Sequence, residues 1–373
     1  MVKKMKTVCK KNACTACNAC VVRCPVNAIR ISDSLKNYNA YIDEKSCIEC
    51  GACTKVCQKN SLPELNKPIM WKQGWTNNTE DRSIAASGGA VTAIVKSFKN
   101  KGGIVYLCKF IEGEFCYCEL ESINQMEEFA GSKYVKSNTE KIYKQVKESL
   151  VQNINVLFVG LPCQIAGLKK YVGTDLEHKL YTIDLICHGT PSIELLRKYL
   201  DEQNISLNKA ISVSFRNNND FNLILNNKKI LYKQERDRYS VLFLYGKTYT
   251  DNCYNCDFAK IERVSDITVG DSWGTLLGKD KQKEGISLIL CQTKKGQRIL
   301  EDAQLTLFDV DLERAIQYNH QLKKPVKKSI NRGLFFLLNK KITFAKAAMI
   351  CYPIPCLKQL IRKYLDIIHY NKK

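Results

Sequence analysis

Between Cys14 and Cys57 the chain places eight cysteines in two matched runs. The first reads Cys14-x2-Cys17-x2-Cys20-x3-Cys24 and ends on Pro25; the second reads Cys47-x2-Cys50-x2-Cys53-x3-Cys57 and ends on Gln58. Two residues between cysteines let one tight loop offer three thiolates to neighbouring corners of an inorganic cube. The fourth ligand must come from elsewhere, and in this spacing it comes from the other run. Cys14, Cys17, Cys20 and Cys57 are expected to hold one 4Fe–4S cluster, and Cys47, Cys50, Cys53 and Cys24 a second. Structural zinc also takes four thiolates, but typically as paired Cys-x2-Cys knuckles rather than three thiols in one loop, twice over. The start, Met1 to Lys6, is basic with no apolar run behind it, so no signal peptide is read there. A reducing, cytoplasmic setting follows as an expectation, and in it such cysteines serve metal or redox chemistry rather than disulfides.

The doubled run resembles a bacterial two-cluster ferredoxin, with each half expected as a short strand, a cysteine loop and a short helix. Cys9 falls outside the pattern and is read as a structural thiol, as are Cys108, Cys116, Cys118, Cys291, Cys351 and Cys356. At 373 residues the chain has room for two or three units. Residues 1–62 form the ferredoxin unit. Residues 63–82, with Pro63, Pro68, Gly74 and Asn77-Asn78, read as a linker in which Trp71 and Trp75 pack domains together. Residues 83–324 alternate helical and extended patterns. Strands are expected near 103–110, 155–160, 179–187, 266–270 and 285–291. Helices are expected after Gly89, over 140–152 and over 192–204, with a hairpin turn at Asn226-Asn227. The fold class is α+β: a ferredoxin-like domain fused to a mixed α/β core, with a helical tail over 325–373.

No window reaches the ~18 uncharged apolar residues that a membrane span requires. The net charge is +21, and from Gln321 onward eleven Lys and two Arg face Asp366 alone. Such a surface can steer an acidic redox partner. The helical pattern over 333–349 and 357–370 suits a lid or a partner contact, with contact at a membrane surface as the other reading. Nucleic acid is not an expected partner.

Four stretches of the core carry chemistry. Ser87-Gly88-Gly89, ahead of a helix that includes Thr92, suits an anion at a helix N-terminus. No Gly-x-Gly-x-x-Gly or Walker loop accompanies it, which argues against an ordinary dinucleotide fold or P-loop. Gly160-Leu161-Pro162-Cys163-Gln164 and Asp184 to Ser192, with Cys187 and His188, both lie at strand ends, where open α/β sheets bind ligands. Cys253-x2-Cys256 precedes Asp266 to Gly274. Cys163, Cys187, Cys253 and Cys256 could converge on a third 4Fe–4S cluster, with zinc as the alternative.

Taken together, Ser87-Gly88-Gly89, Gly131 to Val135, Leu161 to Gln164, Cys187-His188-Gly189 and the Cys253–Trp273 block resemble the family of beta subunits of coenzyme F420 hydrogenases and dehydrogenases. The resemblance runs from about Ser83 to Lys324. It implies an FAD-binding core, one further iron–sulfur cluster on cysteines like these four, and electron transfer between flavin and a partner. Carried over, Ser87, Gly88, Gly89 and Thr92 would lie along the FAD phosphates, Ser132, Lys133 and Tyr134 near the flavin, and Asp271 with the cofactor-binding residues. His188 would be the candidate proton donor, a catalytic role. The implied protein is an iron–sulfur flavoprotein oxidoreductase acting on a redox partner, such as a ferredoxin-like or other acidic carrier, or on a small-molecule substrate. An electron-transfer subunit with no substrate of its own is the alternative.

Overall fold

The computed structural model describes residues 6–216, 220–232 and 234–358. The ferredoxin unit is built on a hairpin of β1 (Ile29–Asp33) and β2 (Tyr38–Ile42), with helices Ala19–Arg23 and Ala52–Val56 after the cysteine loops. Those loops turn through left-handed residues at Ala16, Asn18, Glu49 and Gly51. Such backbone is what wraps amides and thiols around a central object.

The remainder is organised by an eight-stranded sheet. Its members are β3 (Met70–Thr76), β4 (Ile104–Ile111), β5 (Glu114–Glu119), β6 (Val156–Gly160) and β7 (Leu180–Leu185), then β13 (Ile267–Asp271), β14 (Ser287–Cys291) and β15 (Leu305–Phe308). Short ribbons β8 (Val213–Ser214), β9 (Ile224–Leu225), β10 (Lys228–Lys229), β11 (Leu231–Tyr232) and β12 (Glu235–Arg236) lie outside it. Asn226 and Asn227, both at positive φ, make the expected turn between β9 and β10. The sheet order is β15-β3-β14-β13-β7-β6-β4-β5. Neighbours among β4, β6, β7 and β13 pair in parallel, and the flanking strands are antiparallel. β6 is buried at all five positions, as expected of a strand covered on both faces.

One face packs against helices Ala90–Asn100 and Lys294–Glu301. The other packs against helices Ile142–Val151 and Pro162–Val172, and this core runs on without a break into the ferredoxin unit through Cys17, Cys20, Ile29 and Val56. The cysteine domain is therefore part of one hydrophobic interior.

Two expectations are corrected. Residues 70–76 are not connector: β3 pairs with both β14 and β15, and residues 79–84 are helical. Its glycine and tryptophans disguised a strand. Gly74 is required because an added Cβ would lie 2.0 Å from the Thr306 carbonyl oxygen. Trp75 packs on Phe308 at 5.0 Å within the sheet rather than between domains. Nor do residues 325–358 form a tail. Helices Arg332–Leu338 and Phe344–Cys351 replace one longer helix and bury Phe335, Phe344, Ala347 and Cys356 in a common core with Leu196, Tyr199 and Tyr239. The remainder of the expected helix over 357–370 lies outside the described residues beyond 358. Among the described residues no helix is long and apolar enough to cross a membrane.

Candidate iron–sulfur relay

Cys14, Cys17, Cys20 and Cys57 are all buried and line one cavity, with Thr15, Asn18 and Lys59 on its wall. Backbone amides point at sulfur: Ala16 N–H to Cys14 Sγ at 3.4 Å, Ala28 N–H to Cys24 Sγ at 3.2 Å and Glu49 N–H to Cys47 Sγ at 3.4 Å. The second loop is more open, with Cys47 and Cys53 half-buried and Cys50 exposed. Cys9, read from the sequence as a structural thiol, sits beside the first set. It is buried and lines the first cavity together with Cys14 and Cys57.

The four cysteines singled out in the core come together. Cys163 sits in the first turn of helix Pro162–Val172, Cys187 just beyond β7, and Cys253 and Cys256 in and after the short turn Asp251–Asn255. All four line a single cavity at the carboxyl ends of the parallel strands. The Thr190 amide points at Cys253 Sγ at 3.4 Å, and the Asn252 side-chain amide does so at 3.6 Å. Lys136 Nζ lies 3.3 Å from Cys163 Sγ. Burial first, then the neighbouring thiols, pushes Cys187 upward and Cys256 up to about 12. A cationic centre bound on this cavity would offset the cost of ionising Cys187 and Cys256 there.

The supports are built into the fold. Arg263 is buried and donates to Asp184 at 2.8 Å and to the Leu185 carbonyl at 3.0 Å, and it also bonds the Phe258 carbonyl. It ties the end of β7 to the loop after Cys256. Thr250 donates its N–H to the Thr190 carbonyl at 2.9 Å, joining the Cys187 and Cys253 loops. Gln164 is fully buried, accepting from Tyr117 Oη at 2.8 Å and donating to the Ser137 carbonyl at 3.1 Å, so the turn carrying Cys163 is held on both sides.

Four thiols on one cavity wall, met by N–H donors, fit the donor set of a 4Fe–4S cluster, and four thiolates are also a zinc donor set.

The flavin candidates are arranged less evenly. Ser87 Oγ donates to the Ile286 carbonyl at 2.9 Å. A Cβ on Gly88 would meet the Gly74 carbonyl oxygen at 2.4 Å and the Ser287 nitrogen at 2.7 Å, so packing against β3 and β14 explains this glycine without an anion. Gly89 starts helix Ala90–Asn100 at φ 76°, and Thr92 is buried within it. Lys133 is not free for a phosphate: its ammonium is held by the carbonyls of Phe129, Ala130 and Gly131. Asp271 accepts both arms of Arg216, at 2.7 and 3.1 Å. Arg216 lies over Phe221 and faces Trp273, while Tyr134 stacks on Phe243 at 4.2 Å. Arg216, Phe221, Trp273 and Tyr134 thus form an aromatic, cationic edge, and Tyr134 packs with Cys253 against Phe243, Tyr249 and Tyr254. His188 lines the four-cysteine cavity and bonds to Gln321 at 2.5 Å; burial lowers it to about 4, so it is neutral at pH 7.

Residues 13–61 match the model of the 4Fe-4S dicluster domain, and residues 154–308 match that of the C terminus of the coenzyme F420 hydrogenase/dehydrogenase beta subunit. The F subunit of the F420H2 dehydrogenase of Methanosarcina mazei is 21% identical over 294 residues, covering 74% of this chain and 82% of that one. The coenzyme F420-dependent sulfite reductase of Methanocaldococcus jannaschii is 25% identical over 352 residues, covering 88% of this chain and 52% of that protein. A chain of the F420-reducing NiFe hydrogenase complex from Methanosarcina barkeri superposes with a TM-score of 0.48 at 18% identity, over 69% of this chain and 92% of that one. The chain joins a 4Fe–4S dicluster domain to a segment related to the beta subunits of coenzyme F420 hydrogenases and dehydrogenases, and so is related to the iron–sulfur oxidoreductases of that group.

Proposed function

We propose that the chain is a one-electron relay leading from an exposed ferredoxin-type port to a third 4Fe–4S cluster on Cys163, Cys187, Cys253 and Cys256, and from there to FAD. The observation that carries this reading is the convergence of those four thiols on one cavity that Thr15 and Lys59 of the ferredoxin unit also line. The more open segment 47–53, with Cys50 exposed, presents the second thiolate set to a partner. The buried segment 14–20 turns the first set toward helix Pro162–Val172. Gly167 lies so close to Cys17 that an added Cβ would stand 2.8 Å from its Sγ. Lys59, two residues after Cys57, is paired with Asp257, next to Cys256, and locks the two sites together.

The aromatic edge formed by Tyr134, Phe221 and Trp273 with Arg216 offers ring faces and a positive charge where FAD would lie. Bound FAD exchanges one or two electrons and so links cluster traffic to two-electron chemistry. His188, neutral and hydrogen-bonded, is suited to orienting a ligand beside the cavity, and Gln321 fixes its ring. The substrate is an electron carrier or small molecule reaching this edge, and relatives named for F420 chemistry make a deazaflavin one candidate.

Flavin release from protein purified without oxygen tests the FAD assignment. About one FAD per chain is expected. Protein that holds its iron but no flavin, even after incubation with FAD, would instead leave a relay chain without a substrate of its own.

A further inference from the structure

We propose that Lys136 is an electrostatic positioning residue of the relay: a buried cation set between the first ferredoxin cluster and the third cluster, raising the potentials of both. This rests on reading Cys163, Cys187, Cys253 and Cys256 as cluster ligands. Lys136 is only 6% exposed, yet its ammonium lies 3.3 Å from Cys163 Sγ. Its own backbone N–H is fixed on the Pro191 carbonyl at 3.0 Å, on the Cys187–Ser192 loop. The three following residues face the two sites in turn. Ser137 accepts from Gln164, beside Cys163, at 3.0 Å. Asn138 accepts from Asn18, between Cys17 and Cys20, at 2.8 Å. Thr139 donates to the Cys17 carbonyl at 2.9 Å. Segment 136–139 is thus a wedge with one side on the first cysteine loop and the other on the third site, and Lys136 supplies its charge.

A buried ammonium is costly unless it meets negative charge. No carboxylate bonds to this one among the described residues; its bonded partner is a sulfur. Its field also reaches Cys253 and Cys17, from the two different sites. Reducing a cluster by one electron adds one negative charge to the iron–thiolate unit. A fixed cation in a low-dielectric interior favours that reduced state and so raises the potential. The effect must be largest at the contacted third cluster, smaller at the first, and absent at the exposed second one, which water screens.

The test is an EPR-monitored redox titration of full-length, anaerobically purified protein as wild type, Lys136→Gln and Lys136→Arg, with iron counted in each. Cys187→Ser identifies the third cluster's signal. The expected result is a fall in midpoint potential for the Gln variant, greatest for the third cluster, less for the first and none for the second, with the Arg variant near wild type. Potentials that stay put in Lys136→Gln, or fall equally at all three clusters, would overturn the proposal. So would a loss of about four irons in that variant, which would make the residue one of assembly. Wild-type protein with only about eight irons would sink the underlying third-cluster reading instead.

Discussion

At the scale of single residues, the site depends on buried charges that are satisfied by the loops they hold. Arg263 and Asp184 are nearly inaccessible and bonded at 2.8 Å, and Arg263 makes its other bonds to backbone carbonyls on both sides of the third cavity. Removing one partner strands the other charge. Arg263→Met is expected to lower unfolding free energy by about 3–5 kcal/mol and to loosen the Cys253–Cys256 loop. Thermal denaturation and iron retention measure both; unchanged melting with full iron content would contradict this reading. At this scale the sequence was only half legible. Cysteine spacing pointed to eight candidate ferredoxin ligands because three thiols in one loop leave few other uses, and residues 13–61 match a 4Fe-4S dicluster domain. Lys136 carried no signal, since a lysine between Val135 and Ser137 looks like any surface lysine until burial is known. The place of Cys9 on the wall of the first cavity carried no signal either, because it lies outside the repeat.

At the scale of elements, helix Pro162–Val172 bears directly on the first cysteine loop. Gly167 makes this approach possible, with Cys17 Sγ 2.8 Å and Cys17 Cβ 3.0 Å from where a Cβ would stand. Gly167→Ala is helix-compatible in itself, so any loss reports the contact. We expect a destabilisation of about 1–3 kcal/mol in denaturant melts, together with slower electron transfer from the ferredoxin unit to the core. A variant as stable and as fast as wild type would show that the helix does not bear on the loop. Elements with clean periodicity, such as β6 and helix Ile142–Val151, were readable from apolar pattern alone. β3 was not, because Gly74 and the turn formers around it resembled a connector. Only the neighbouring strands β14 and β15 reveal that Gly74 is there for close backbone packing.

At the scale of the whole molecule, the ferredoxin unit and the sheet share one core. In the proposed relay the second cysteine loop would then be a fixed port rather than a tethered shuttle. With a net charge of +21, the protein is expected to attract an acidic carrier over a distance. Raising ionic strength from about 0.05 to about 0.5 M should slow bimolecular electron transfer with such a carrier by roughly tenfold or more, as screening shortens the field. A rate independent of salt in stopped-flow measurements would mean that charge does not steer the encounter.

Metal content decides most directly whether the relay reaches the core. Anaerobically purified wild-type protein should contain about twelve irons and twelve acid-labile sulfides per chain, and a Cys253→Ser/Cys256→Ser variant about eight of each, with the ferredoxin signals intact. Wild-type protein with only about eight irons, or with zinc bound by the four core thiols, would contradict the account.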